Sequence, residues 1–142
     1  MHKKTNKGFT LVELLITMMI VAILAAISIF GLQGARESGR DAKRKADLES
    51  IRSALEIYRA DCGNYPASLG TSITGACPGP AANTYMQAVP TDPLGGAYIY
   101  NRITLTSYRI CSTLEQIPDP ANDVSGCSGC SGGDCRYRVL NP

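Results

Sequence analysis

The chain has no tryptophan, two phenylalanines and a single histidine, which stands at position 2. With its one imidazole beside the start, it has no base elsewhere for a Ser-His-Asp or Cys-His mechanism. Neither a glycine-rich phosphate loop nor a two-histidine metal motif occurs. These absences speak against an enzyme. Charge of one sign is also lacking: 14 Lys and Arg stand against 12 Asp and Glu, and a net +2 is too small to indicate a nucleic-acid partner by itself. Cysteine is missing before position 62 and proline before position 66. At 142 residues there is room for one core domain with an appendage, not for a two-domain enzyme.

What is present is unevenly spread. Residues 14–32, LLITMMIVAILAAISIFGL, form a run of nineteen without a charge, and only Thr17 and Ser28 carry polar groups. At about 1.5 Å per residue such a helix approaches the bilayer's hydrocarbon thickness of about 30 Å. It also lacks the polar face of a soluble core helix. The mean hydropathy of −0.03 therefore averages a lipid-grade segment with a polar remainder. The expectation is a membrane-inserted helix. A secretory signal peptide competes with it, because Lys3, Lys4 and Lys7 precede the run and Ala26 and Ser28 are small enough for a cleavage site. Against that, the run exceeds the usual apolar core of about 7–15 residues. A carboxylate, Glu13, also stands at its edge, where charge is costly and tends to be functional.

Orientation is pulled two ways. Arg36, Arg40, Lys43, Arg44 and Lys45 follow the span, so counting cations does not favour a cytoplasmic N-terminus. All six cysteines also follow it, which places an oxidising compartment on the C-terminal side. The cysteines are given more weight, so the N-terminus is read as cytoplasmic.

Lys7-Gly8-Phe9-Thr10-Leu11-Val12-Glu13-Leu14-Leu15, leading into the apolar helix, resembles the processing signature of type IV pilins and type II secretion pseudopilins. The resemblance covers about the first thirty residues. It implies a leader, residues 1–8, removed by a prepilin peptidase between Gly8 and Phe9, with methylation of the new Phe9 amine. It also implies an α+β pilin fold: a long N-terminal helix on a small antiparallel sheet. Removing the leader takes away three lysines and leaves 11 basic against 12 acidic side chains, so the +2 belongs to the leader. Glu13 falls on the acid that the family carries one turn after the new N-terminus. In a filament, with lipid removed, that carboxylate needs a partner, which the Phe9 amine of a neighbouring subunit supplies. Glu13 is then a register device, as single buried polar groups are in coiled coils; the plainer reading is an interfacial acid with no role. The family often has a proline in this helix; here Gly31 and Gly34 are the weak points, each costing about 1 kcal/mol relative to Ala.

The expected organisation after the leader is a membrane or filament-core half of the helix, 9–34, then a head, 35–142. In the head, residues 35–62 continue the helix. Ala35, Ala42, Leu48, Ile51, Leu55, Tyr58 and Cys62 mark its apolar face. Arg40, Lys43, Arg44, Asp47, Glu49, Arg52, Glu56 and Arg59 mark a face that is solvated or meets polar neighbours. Glu49–Arg52 and Glu56–Arg59 are the expected i,i+3 pairs. The cations 36–45 suit lipid headgroups or acids of a neighbouring subunit; a solvated turn partly neutralised by Glu37 and Asp41 fits equally well. Gly63 is the expected left-handed cap. Residues 63–96 read as a loop with a helical turn near Tyr85–Val89. Residues 97–142 read as an antiparallel sheet with a Cys-rich loop: a hairpin of 97–100 and 107–114 with its turn within 101–106, and a closing strand 136–140.

The cysteines are read as structural disulfides. Six allow 15 pairings; Cys62–Cys77, Cys111–Cys135 and Cys127–Cys130 are expected. Zinc at Cys127, Cys130 and Cys135 could take Cys111 as fourth ligand, but export disfavours thiolates; a redox dithiol at Cys127–Cys130 would need a helix N-terminus, which the Gly/Ser context does not offer. Asn64-Tyr65-Pro66 and Val89-Pro90-Thr91-Asp92-Pro93-Leu94-Gly95, leading into Tyr98-Ile99-Tyr100, resemble the corresponding parts of major pseudopilins, with Leu94 where tryptophan is frequent. Their C-terminal loop often binds calcium. Asp119, Asn122, Asp123 and Asp134 supply oxygens here without a recognisable ligand spacing, so no cofactor is expected and calcium rests on the resemblance alone. Arg136 and Arg138 share a strand face, with Arg102 and Arg109 nearby. Such a pattern suits DNA, as in a competence filament, but more commonly means an exposed basic face.

The functional expectation is a structural subunit of a type IV pilus; the alternative is the major pseudopilin of a type II secretion system. A more distant alternative is a membrane-anchored, disulfide-stapled binding domain. The partners implied are further copies in a helical filament, the peptidase, a membrane assembly platform with its cytoplasmic ATPase, and the lipid bilayer before assembly. The expected location is the cell membrane first, then the cell surface or an extracytoplasmic filament.

Overall fold

A computed structural model describes residues 8–77, 79, 81–117, 123–130 and 133–141, with residue 30 described by its backbone. Helix α1 runs Leu11–Cys62. Two compact units divide the chain after Arg36, two residues later than the expected head boundary. In the first unit, the described large apolar side chains from Leu11 to Ile29, and that of Leu32, are exposed. The two polar side chains of residues 14–32 are satisfied within the helix: Thr17 Oγ1 donates to the Leu14 carbonyl and Ser28 Oγ to that of Leu24. A helix that bonds its own hydroxyls and shows apolar side chains all round is suited to lipid or to other such helices.

The second unit carries the core. Leu48, Ile51, Ala54 and Leu55 of α1 meet Tyr65, Ile73, Tyr98, Tyr108, Ile110 and Val139. Strands β3 (Ile99–Thr104), β4 (Ser107–Thr113) and β5 (Cys135–Leu140) form an antiparallel sheet in the order β3-β4-β5. Tyr108 and Ile110 alternate inward along β4, and Val139 opposite Ile110 does the same on β5, the period expected of a half-buried sheet. Gly63, at φ 74°, ends α1 as anticipated, and its N–H bonds the Arg59 carbonyl at 2.8 Å.

Three expectations about local structure are corrected. Residues 63–96 are not a loop with a helical turn: β1 (Ile73–Gly75) and β2 (Asn83–Met86) pair antiparallel. Three- and four-residue strands rich in Thr and Gly carry almost no periodicity. Tertiary contacts decide them: Tyr85 packs edge-on against Tyr58 of α1, and Cys77, beside β1, is bonded to Cys62. The β3–β4 turn is narrower than the expected 101–106: it is confined to Leu105–Thr106, because Asn101, Arg102 and Thr104 pair with β4 across a bulge at Arg102/Thr104. The buried stripe of α1 also differs. Ala35 and Ala42 are exposed, and the 3/4 spacing runs back from Leu48 to Arg44 and Asp41, both buried.

Candidate functional site

Two places in the chain combine unusual chemistry with defined geometry. The first is the start of α1. Thr10 is its N-cap, with its carbonyl accepting from the Leu14 N–H. Glu13 Oε2 accepts from the Thr10 N–H at 3.1 Å and the Thr10 hydroxyl at 2.9 Å, and the Glu13 N–H donates to Thr10 Oγ1 at 3.3 Å. This reciprocal arrangement is a capping box, written in the sequence as Thr-x-x-Glu, a signal the sequence reading passed over. It holds the Glu13 carboxylate at the helix N-terminus, beside the backbone that precedes Thr10. Phe9 is 87% exposed and Gly8 sits in open space, where a Cβ would touch nothing. The local fold therefore leaves the Gly8–Phe9 bond accessible, and any demand for glycine there comes from what acts on the bond. Residues 1–7 of the expected leader lie outside the described residues.

The second place is a charge cluster in the head. Arg44 is fully buried. Its Nε and Nη2 donate to the two carboxylate oxygens of Asp92, at 2.6 and 3.0 Å. Its Nη1 donates to Asp41 at 2.7 Å and to Glu115 at 2.8 Å. Arg40 closes the group with a fork onto Glu115. The carboxylates reach further still. Asp41 accepts the N–H groups of Glu115 and Gln116 at 3.0 and 2.9 Å, and Asp92 accepts that of Leu94 at 2.9 Å. One guanidinium thus ties α1 to the 92–96 turn and to the end of β4. Fork-to-carboxylate pairing gives both direction and strength.

The electrostatics follow from that geometry. Hydrogen bonding to Arg40 first, then to Arg44, pulls the Glu115 carboxyl down to about 2 against the cost of burial. Burial alone would raise the Asp92 carboxyl, but Arg44 and the Leu94 N–H outweigh it and leave it below its ordinary value. The Asp92 bonds hold the Arg44 guanidinium above its own.

These contacts choose among the readings of Arg40 and Arg44: Asp41 partly neutralises Arg44 as expected, and the remaining partners are acids of the same head rather than lipid headgroups. Glu49–Arg52 pairs at 3.4 Å as expected, but Glu56–Arg59 does not. Glu56 accepts the hydroxyls of Tyr65 and Tyr108, and Arg59 donates to the Tyr65 hydroxyl. The basic strand face is likewise occupied from within. Arg136 donates to the Leu114 carbonyl, Arg138 to Asp123 and Ser125, Arg109 to the Ser125 carbonyl and Arg102 to that of Tyr65.

The disulfides are Cys62–Cys77, Cys111–Cys127 and Cys130–Cys135, with Cα separations of 5.1, 5.9 and 5.4 Å. The last two replace the expected Cys111–Cys135 and Cys127–Cys130. Register is the reason: Cys135 stands opposite Thr113, and Cys111 stands opposite Arg138. Cys127 and Cys130 serve different partners, so they form neither a dithiol pair nor two ligands of one zinc. Asp119 and Asn122, two of the calcium candidates, lie outside the described residues. Asp123 is engaged by Arg138 and the Ser125 N–H.

Comparison with known proteins adds the deciding observation. Residues 3–29 match the prokaryotic N-terminal methylation motif, and residues 32–115 match the family described as type II secretion system (T2SS), protein G. The chain belongs to the type II secretion system protein G family. Its relatives include the type II secretion system core protein G of Klebsiella michiganensis, 32% identical over 69% of this chain and 75% of the relative. That of Vibrio cholerae is 32% identical over 70% and 72%, and that of Aeromonas hydrophila 28% identical over 69% and 74%. No solved structure matches the chain. Membership in this pilin-like family favours the secretion alternative over the surface pilus that led the sequence reading. It also carries prepilin processing and filament assembly with it, and the apolar helix fits a membrane-anchored precursor. The family match takes in Arg40, Arg44, Asp92 and Glu115 but stops before Cys127, Cys130, Cys135 and β5.

Proposed function

We propose that this protein G family chain is the major pseudopilin of a type II secretion system, the repeating subunit of a homo-oligomeric helical filament. The observation that carries the reading is the tandem of a methylation motif over 3–29 and a protein G match over 32–115 in one chain. The precursor sits in the cytoplasmic membrane through residues 14–32, N-terminus inside and head outside. A prepilin peptidase cuts between Gly8 and Phe9 and the Phe9 amine is methylated. A membrane platform driven by a cytoplasmic ATPase then extracts the subunit from lipid into the filament. Glu13 sets the register by pairing with the Phe9 amine of a neighbour. The capping box supports this role, because Thr10 keeps the carboxylate at the helix terminus where such an amine arrives. The rest of the apolar surface packs against other copies.

Mass spectrometry of the membrane-fraction protein tests the processing step. The expected N-terminus is methylated Phe9; an intact Met1, or cleavage near Ala26–Ser28, would refute it. Glu13→Ala is expected to be processed and inserted normally but to enter sheared filaments at no more than a tenth of the wild-type level. Wild-type assembly of that variant would eliminate the register role. Deleting the gene separates the two filament types: loss of protein secretion without loss of surface pili supports the proposal, and the reverse overturns it.

A further inference from the structure

The three disulfides join each cysteine to the next one along the chain, Cys62 to Cys77, Cys111 to Cys127 and Cys130 to Cys135. Of the 15 pairings of six cysteines this is the one without nesting or crossing. It is also the one with the shortest longest loop. Sequence separations are 15, 16 and 5, and every other pairing must close at least one loop longer than any of these. Shorter loops cost less closure entropy, so the native pairs are also the locally favoured ones.

Burial adds an order in time. Cys111 is fully buried in the folded head. A protein-sized oxidant must therefore reach it before Ser125 and Gly126, next to Cys127, settle against Arg109 of β4. Chain order permits this, since Cys127 precedes β5, and the β4 edge stays open until Cys135–Leu140 pairs with it. Cys62, the last residue of α1, and Cys77, beside β1, come earlier still and need neither β4 nor β5.

We infer that the head is the substrate of a thiol oxidase that works along the emerging chain, pairing cysteines in order from the N-terminal side and needing no disulfide isomerase. The class of reaction that must precede assembly is thiol–disulfide exchange with a protein disulfide. One chain thiolate attacks the oxidant's disulfide to give a mixed disulfide. The next chain thiolate attacks the chain's own sulfur in that bond and displaces the oxidant's sulfur. The chain loses two electrons and two protons for each bond, and the oxidant leaves as a dithiol. The order of emergence rests on the orientation proposed above, N-terminus inside and head outside.

The test expresses the full-length wild-type chain in isogenic Gram-negative hosts lacking either the extracytoplasmic thiol oxidase or the disulfide isomerase. Free thiols are blocked in the cells, and non-reducing peptide maps are compared. Without the isomerase, all three native pairs are expected at a yield within twofold of the parent host. Without the oxidase, the six thiols are expected to be alkylated at least fivefold more, and the head to be digested by added protease. Crossed pairs such as Cys111–Cys135 accumulating without the isomerase would overturn the inference, as would full native pairing without the oxidase. Protease access to the head in spheroplasts reads the orientation separately. A head outside with crossed pairs defeats the oxidation order alone; a head inside defeats the proposed orientation.

Discussion

Removing the Arg44 cation should expose how the head is held together. In Arg44→Met the stem is largely replaced and the guanidinium is lost. Asp92, with only 5% of its side chain exposed, loses both Arg44 bonds and keeps the Leu94 N–H. Asp41 loses one bond and keeps two backbone donors, and Glu115 keeps Arg40. Asp41 and Asp92 are both left buried without a counter-charge, and the penalty is larger at Asp92, which keeps one backbone donor against two for Asp41. Breaking a buried pair from one side costs about 3–5 kcal/mol, a large part of the roughly 5–15 kcal/mol that holds a typical domain folded. The assay is urea unfolding of the full chain in detergent, followed by near-ultraviolet circular dichroism of the seven tyrosines. The midpoint should fall with the slope unchanged. Combining Arg44→Met with Asp92→Leu removes both charges and should recover more than half of the loss, because an apolar pair of similar volume tolerates the site. A single variant within about 1 kcal/mol of wild type, or a double variant whose losses simply add, would refute the reasoning.

Acid should act through Glu115. Its folded-state pKa of about 2 lies below the ordinary 4.5, so the folded head binds fewer protons there than the unfolded chain. The contribution is complete above about pH 4.5 and is lost as the pH falls towards 2; an acid titration of stability should flatten in that window in Glu115→Gln. Equal slopes for the two proteins would remove Glu115 as the cause. Gly75→Ala should destabilise β1 by about 1–3 kcal/mol, because the new Cβ would stand 2.6 Å from Tyr58 Cε2 and 3.3 Å from Cys62 Sγ. Thermal unfolding measures it, and an unchanged midpoint would mean that the Tyr58 ring moves aside freely.

The N-terminal third was legible because its information is local. A charge-free run and a short motif each act within a few residues, and the helix they specify depends on no distant partner; the Thr-x-x-Glu cap is equally local and was passed over. The stripe Leu48–Tyr58 was legible for the same reason: periodicity survives in any context. The charge cluster was half visible. The 3/4 spacing that marks Leu48 and Ile51 continues back to Arg44 and Asp41, but charged residues read as solvent-facing unless their partners are known. Those partners, Asp92 and Glu115, lie 48 and 71 residues away from Arg44.

By itself, then, the sequence determined that one long helix leads the chain, that its first half belongs in lipid or among similar helices, and that a small α+β head follows. Hydrophobic run length and helical period are enough for that. Tertiary structure alone decided which charges are buried, which short segments become β1 and β2, and that Cys111 and Cys135 do not bond each other. Each of these depends on a pairing energy between residues far apart in the chain. Moving the β4–β5 register would bring Cys135 to a different β4 partner while leaving every local propensity unchanged.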